Sequence, residues 1–210
     1  MTNTKVITIP VGFAQTNTYI CYDEESKKGV VIDPGAEAGR ILAEINRRGL
    51  AISAVLFTHG HLDHIGAVNA VKAGLGAKVY ASEKEAALAN DQNQNGTKFF
   101  GMSEITADVD EFLTDFQEID FGCGKIRALS TPGHTHGHTC FYLPEADMLF
   151  TGDCLFRESY GRYDLPTGDF AALKQSLHFL FGLPPQTVVY PGHGPSTTIG
   201  HEKASNPIGA

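Results

Sequence analysis

At 210 residues, with 42% apolar and 19% charged side chains, the chain is long enough to bury a core and fits a single domain over residues 1–210. A formal charge of −8 argues against general affinity for nucleic acid or an anionic membrane surface. Met1 to Gly12 has no basic-then-apolar leader pattern and no apolar run approaches membrane length, so the expected location is the cytoplasm, where the four cysteines (Cys21, Cys123, Cys140, Cys154), lacking zinc-finger or redox spacing, read as reduced core thiols.

Lys5–Pro10 and Thr18–Tyr22 are rich in β-branched and aromatic residues and are predicted strands. Val30–Ile32 is a third, ending in the turn Asp33-Pro34-Gly35. Residues 36–48 have helical spacing, with Ile41, Leu42 and Ile45 on one face. A strand over 52–57, a helix over 64–73 and a short strand over 78–81 follow. Ser82, with Glu85 three residues on, has the capping-box pattern of a helix reaching about Asn90. Asp91–Gly96 is polar and turn-rich, a surface loop. Residues 99–116 mix aromatics with Asp108, Asp110, Glu111 and Asp115 and read as a loop or short helix with a solvated acidic face. Strands are predicted over 117–121, 125–130, 139–143 and 148–150, then an amphipathic helix over 168–181. The last predicted strand is 187–190, and the tail from Ser196 is short. Two facing sheets with helices outside would satisfy this order.

The chemistry is concentrated at strand ends. Ala54-Val55-Leu56-Phe57 runs into Thr58-His59-Gly60-His61-Leu62-Asp63-His64, which holds three imidazoles and a carboxylate within six positions. Side chains two apart in an extended segment point the same way, so His59 and His61 can share one ion. Asp63 and His64, past the turn at Gly60, can reach a second. The ending recurs at Thr131-Pro132-Gly133-His134, Phe150-Thr151-Gly152-Asp153 and Tyr190-Pro191-Gly192-His193. These seven side chains outnumber one tetrahedral site. The expected arrangement is two divalent ions, one on His59, His61 and His134, the other on Asp63, His64 and His193, with Asp153 bridging. A hydroxide between them would be the nucleophile, since a metal lowers the pKa of bound water to about 7. Zinc is the first expectation, and the same donors accept iron or manganese. Asp153 and Asp63 are the expected catalytic carboxylates, Asp63 as a proton relay.

Other residues have two readings. Asp33 is either an ordinary turn residue or a buried carboxylate accepting a hydrogen bond from a ligand histidine. His138 opens a strand and is expected to orient a ligand by a hydrogen bond; His136 is expected to be exposed. His178 and His201 read as surface or packing histidines, and Cys154 as packing beside Asp153.

In order along the chain, His59-Gly-His-Leu-Asp-His64, His134, Asp153 and His193 resemble the metal motifs of the metallo-β-lactamase superfamily, and Asp33 resembles its early aspartate. The resemblance spans nearly the whole chain. It implies a four-layer αββα sandwich with metals at the edge between the sheets, and the same ligand assignment. Thr131-Pro-Gly-His-Thr-His-Gly-His138, Gly152-Asp-Cys-Leu-Phe-Arg157, Gly161-Arg-Tyr-Asp164 and Gly200-His-Glu-Lys-Ala-Ser-Asn-Pro207 further resemble the glyoxalase II group, the hydroxyacylglutathione hydrolases, of the short bacterial type without a C-terminal helical domain. That implies hydrolysis of a thioester such as S-D-lactoylglutathione. The pattern departs at His136, where Pro or Ser is common, and at Arg162 and Asp164, where larger members use a Lys and a Tyr to hold glutathione.

An anionic glutathione conjugate needs local positive charge on an acidic chain. Arg162, Arg157, Lys174 and Lys203 are the candidates, Arg162 first because it lies close behind Asp153 in a Gly-flanked loop; its other reading is a surface ion pair. Tyr160 either lines the pocket or packs. Rival readings are a mononuclear iron dioxygenase acting on glutathione persulfide through His59, His134 and Asp153, a hydrolase of another ester, lactone or thioester substrate such as a β-lactamase, lactonase or nuclease of the superfamily, and a metal-binding structural or interaction module without catalysis. The expected partner is a small-molecule thioester, with no nucleic acid or membrane, on a monomer or small homo-oligomer.

Overall fold

In the computed structural model, which describes residues 3–209, strict alternation along the strands sorts apolar side chains into three core layers. The first sheet is built from β1 (Thr4–Val11), β2 (Thr16–Asp23), β3 (Lys28–Ile32), β4 (Ala51–Leu56), β5 (Lys78–Ala81) and β6 (Glu111–Phe112), in that spatial order. The first three strands pair antiparallel and the rest parallel. Along β3 and β4, Val31 and Val55 face outward to Ile41 and Ile45 of helix α1 (Ala38–Arg48), while Val30, Ile32, Ala54 and Leu56 face the sandwich interior. Strands covered on both faces read as continuous apolar runs.

Between β4 and β5 come two short helices, α2 (Leu62–Ile65) and α3 (Val68–Leu75), where the spacing predicts one helix over 64–73. The break has a physical cause. Ala67 N–H donates to the Pro34 carbonyl at 2.9 Å, outside the helical ladder. A side chain at Gly66 would lie 2.4 Å from the Gly35 carbonyl oxygen, so the Asp33-Pro34-Gly35 turn packs directly on this junction. Helix α4 (Glu83–Ala89) is capped by the Ser82 hydroxyl, which accepts from Glu85 N–H. The capping box is only half formed, because the Glu85 carboxylate turns inward instead.

The second sheet contains β7 (Glu118–Asp120), β8 (Lys125–Ser130), β9 (Thr139–Leu143) and β10 (Met148–Gly152). A small ribbon, β11 (Leu155–Phe156) with β12 (Ser159–Tyr160), stands apart from it. Helix α5 (Phe170–Leu180) leads to β13 (Val188–Pro191), which joins β10 in parallel, and β14 (Thr197–Thr198) forms the edge. Phe141 and Leu143 of β9 meet the first sheet's inner face, while Cys140 and Tyr142 face Leu173 and Leu177 of α5. Helix, sheet, sheet and helix therefore stack as the expected αββα sandwich.

Three segments differ from the sequence reading. The tail is structured: β14 is followed by helix α6 (Ile199–Ser205), held by the buried Glu202, which accepts from Glu158 N–H and Thr197 Oγ1. The 91–96 loop is partly interior, because buried Asn95 donates to the Ala89 and Ile105 carbonyls and its own carbonyl accepts Leu62 N–H. Residues 99–116 contain no helix and supply only the edge strand β6. All four cysteines are buried and free.

Candidate metal centre

Each of the seven ligand-type side chains leaves the end of a strand, the loop that follows it or, for Asp63 and His64, the short helix α2. His59, His61, Asp63 and His64 follow β4, His134 lies between β8 and β9, Asp153 follows β10 and His193 follows β13. Parallel neighbours bring these ends to one edge of the sandwich. The approach is close: a side chain at Gly192 would lie 2.1 Å from Asp153 Oδ1 and 2.7 Å from His64 Cε1. Glycine beside the ligand at this strand end is a packing requirement.

Three groups of donor atoms form: His59, His61 and His134; His59, His64 and Asp153; Asp63, His64 and His193. His61 Nδ1 lies 3.0 Å from His134 Nε2, which lies 3.2 Å from His59 Nε2. His64 Nε2 lies 3.3 Å from Asp153 Oδ1, and His193 Nε2 lies 3.3 Å from Asp63 Oδ2 and 3.5 Å from Asp153 Oδ2. Ligand bonds of about 2.0–2.1 Å in a tetrahedron place donor atoms about 3.3 Å apart, so these separations fit shared ions. His64 Nε2 and Asp153 Oδ1 are also buried without a hydrogen-bond partner. The cluster is suited to a binuclear centre.

The far side of the ring explains the aim of four of the five ligand imidazoles; His61 Nε2 is buried with no hydrogen-bond partner. His59 Nδ1 meets Thr58 Oγ1 at 3.0 Å, His134 Nδ1 donates to the Arg162 carbonyl at 2.8 Å, and His193 Nδ1 donates to the Ala14 carbonyl at 3.2 Å. His64 Nδ1 donates to Asp33 Oδ2 at 3.0 Å. Asp33 is 1% exposed and also accepts from Thr58 N–H and Thr58 Oγ1, so it is the buried carboxylate rather than a plain turn residue. Thr16 Oγ1 donates to Asp63 Oδ2 at 2.9 Å. Fixing one ring nitrogen leaves the other bare for a cation.

Burial holds His59 well below the ordinary imidazole range, His61 down to about 3, and His134 also low. At His64 and His193 burial acts the same way, but the carboxylates outweigh it. Asp153, Asp63 and Asp33 raise His64, and hydrogen bonds to Asp153 and Asp63 raise His193 to about 9. Burial would raise Asp153 and Asp63, yet His64 foremost, with His193, holds both low. One end of the cluster thus keeps neutral imidazoles and the other pairs protonated imidazoles with carboxylates. Ions would displace those protons.

The remaining predicted residues fall in different places. His138 is buried, but its Nδ1 meets Thr131 Oγ1 at 2.9 Å and its ring stacks on His59; no hydrogen bond joins it to a ligand. The ring therefore meets the ligand histidines by packing, 5.4 Å from His59 and 6.3 Å from His134, centre to centre. His136 is half-buried rather than exposed. His201 pairs with Glu158, and His178 lies exposed on α5. Cys154 packs in the core under α5. The Arg162 side chain makes a bidentate ion pair with Asp164, and its backbone carbonyl is what orients His134. Arg157 is exposed beside Phe156 and His193, whereas Tyr160 packs against Phe170 and the second core rather than facing the ligands. Lys174 and Lys203 are exposed on α5 and α6.

Sequence reasoning missed Glu85. It is fully buried, its Oε2 accepts from Gly60 N–H at 2.8 Å, and its Oε1 accepts from Thr135 Oγ1 at 2.7 Å and Gly137 N–H at 2.8 Å. One carboxylate thereby ties the 59–64 loop to the 131–138 loop. The only signal was a Glu at a capping position followed by apolar residues.

Comparison with known proteins agrees with this geometry. The family model described as the metallo-beta-lactamase superfamily matches residues 11–193. A curated relative from Haemophilus influenzae, named hydroxyacylglutathione hydrolase GloC, is 36% identical over 95% of this chain and 95% of its own length. A solved structure described as the BLEG-1 B3 metallo-beta-lactamase superposes with a TM-score of 0.93 at 38% identity, covering 98% of this chain and all (100%) of that one. Another, TTHA1623 in a di-iron-bound form, gives 0.86 at 39% identity over 97% of this chain and 100% of that chain.

Proposed function

The chain belongs to the metallo-β-lactamase superfamily, and on that premise we propose that this metallo-hydrolase cleaves thioesters, with conjugates of an anionic thiol such as glutathione as the substrate class. The observation that carries the reading is a set of seven donor side chains in three overlapping groups, linked through His59 and His64, that forms part of the wall of a cavity of about 260 Å³. His59, His61 and His134 would hold one divalent ion and Asp63, His64 and His193 the other, with Asp153 between them; zinc is the proposed metal. When bound, such a pair supplies a nucleophile at neutral pH by lowering the pKa of water to about 7, and polarises the substrate carbonyl.

The chain's own residues do the rest. Asp33, Thr58, Ala14 and Arg162 hold the imidazoles in the tautomer that leaves the inner nitrogen free. Asp63, steadied by Thr16, would relay the proton after attack. Water adds to the carbonyl carbon, the carbon–sulfur bond breaks, and a carboxylic acid and a thiol result. A thiol of pKa about 8.5 leaves without a strong general acid. Arg157 and Arg162, on one side of Asp153, would face the anionic thiol portion. The name carried by the Haemophilus influenzae relative supports the glutathione choice.

Metal analysis paired with S-D-lactoylglutathione hydrolysis tests the reading. Two ions per chain with turnover is the expected result. One iron with oxygen uptake would transfer the chain to the dioxygenase reading. The likeness to the BLEG-1 structure favours a lactam as second substrate class, and nitrocefin cleavage exceeding thioester cleavage would establish that instead.

A further inference from the structure

The ligand cluster opens onto two unlike clefts. The first, of about 260 Å³, has His61, Asp63, His134 and Asp153 in its wall, and Phe13, Phe99, Phe100, Leu165 and Pro166 around them. Phe13 sits at the tip of the β1–β2 hairpin, and Phe99 and Phe100 follow the 91–96 loop, so two separate segments converge. Phe13 and Phe100 lie 5.7 Å apart and Phe100 and Phe99 5.1 Å apart, ring centre to ring centre. All three rings are largely exposed, Phe99 by 83%. Clustered exposed aromatics that line a concave site signal an apolar ligand group rather than a solvated surface. The cleft's one cationic side chain among the described residues is Arg162, already engaged by Asp164. Asn93 and Gln94 add neutral polar groups at its edge. The second cleft, also bordered by Asp153 and by the same Arg162, adds Arg157, whose Nε lies 3.9 Å from Glu158 Oε1, and so carries two cationic side chains to the first cleft's one.

The geometry points to a division of the substrate across Asp153. We propose that the acyl group of the thioester is apolar, an aliphatic or aromatic chain of several carbons, and lies on Phe13, Phe99 and Phe100, while the anionic thiol portion lies along the arginine cleft. This rests on the thioester-hydrolase reading above and narrows it. A two-carbon or hydroxylated acyl group would leave the phenyl wall in water. A longer chain removes it from water, which is worth about a fourfold gain in kcat/KM per methylene. The overall reaction is unchanged: one water is consumed, and the acyl group leaves as its carboxylic acid and the sulfur as its thiol.

The test uses the zinc-loaded full chain and S-acetyl-, S-butyryl-, S-hexanoyl- and S-D-lactoylglutathione. The expected result is kcat/KM rising about fourfold per methylene from acetyl to hexanoyl, with lactoyl below butyryl, and a shallower rise in Phe99→Ala and Phe13→Ala. A flat or falling series, or the same slope in both variants, overturns the proposal. A second measurement separates it from the parent reading. The chain has no tryptophan, so Phe99→Trp places a single reporter on the wall. Hexanoate should blue-shift its emission at concentrations where acetate does not. If no thioester is hydrolysed but hexanoate shifts the emission, the apolar seat stands and the hydrolase reading falls; if acetate and hexanoate act alike, the seat itself is overturned.

Discussion

Asp33 occupies the left-handed region at φ 50°, where Asn is tolerated and most other residues are strained. Asp33→Asn therefore keeps the turn and removes only the charge behind His64. The expected outcome is a 10- to 100-fold loss of metal affinity, read by competition with a chromogenic chelator, with thermal stability little changed. Equal affinity in the variant would mean that the Asp33 charge does not govern His64. Glu85 calls for the opposite design. All three of its contacts donate to it, so Glu85→Gln turns an amide N–H toward a donor that then lacks a partner. Such a buried mismatch costs about 1–3 kcal/mol. Burial raises the pKa of Glu85, so its three donors must compensate for desolvation of the charge. A lower Tm together with weaker metal binding is expected, because both ligand loops hang on this side chain. An unshifted melting curve would show that the loops hold themselves.

Elements, rather than single contacts, set how the ligand loops are carried. The Ser82 hydroxyl caps α4 and also donates to the Gly137 carbonyl at 2.8 Å, so the start of α4 is fastened to the 131–138 loop. Ser82→Ala should cost about 1 kcal/mol, or about 2–4 °C in Tm for a domain of this size; a gain in Tm would contradict the capping role. The β9 strand shows the value of alternation. Phe141 is fully buried between the sheets, and Phe141→Ala should cost about 3–5 kcal/mol in denaturant unfolding. A loss below about 1 kcal/mol would mean that the inter-sheet layer is loosely packed there. The β1–β2 hairpin has a further duty, since its tip supplies both Phe13 for the apolar wall and the Ala14 carbonyl that aims His193.

For the whole molecule, the cluster links stability to protons and to metal. His193 titrates at about 9 in the metal-free fold against an ordinary 6.5. A folded value above the unfolded one gives stability that is fully present below about 6.5 and is lost as pH rises through about 9. The metal-free protein should thus show a falling Tm from pH 6.5 to 9, while the loaded protein, whose carboxylates face cations instead of imidazolium, should not. A metal-free Tm that stays level or climbs over that window would refute the pairing. Loading at pH 7 should also release protons, visible as buffer-dependent heats in calorimetry. Among the described residues no helix is long and apolar enough to cross a membrane.

The ligand set was legible because it is local: four of the seven side chains lie within six positions, and the others repeat an apolar run, a glycine and a ligand. Runs of β-branched and aromatic residues likewise announced most strands of both sheets, since such runs are a property of the chain alone. Three kinds of feature were not legible. The groups that aim the histidines are mostly backbone carbonyls, which any residue could supply; His193 and Ala14 stand 179 positions apart. The Glu85 carboxylate looked like a helix cap because sequence cannot say which way a side chain turns when two loops compete for it. The exposed phenylalanines of residues 99–100 looked like loop composition until folding set them across from Phe13. Sequence determined which atoms could bind a cation and at which strand ends they lie, because short-range geometry governs both. Tertiary structure alone decided how those atoms are aimed and what surrounds them, because orientation and enclosure come from contacts between segments distant along the chain.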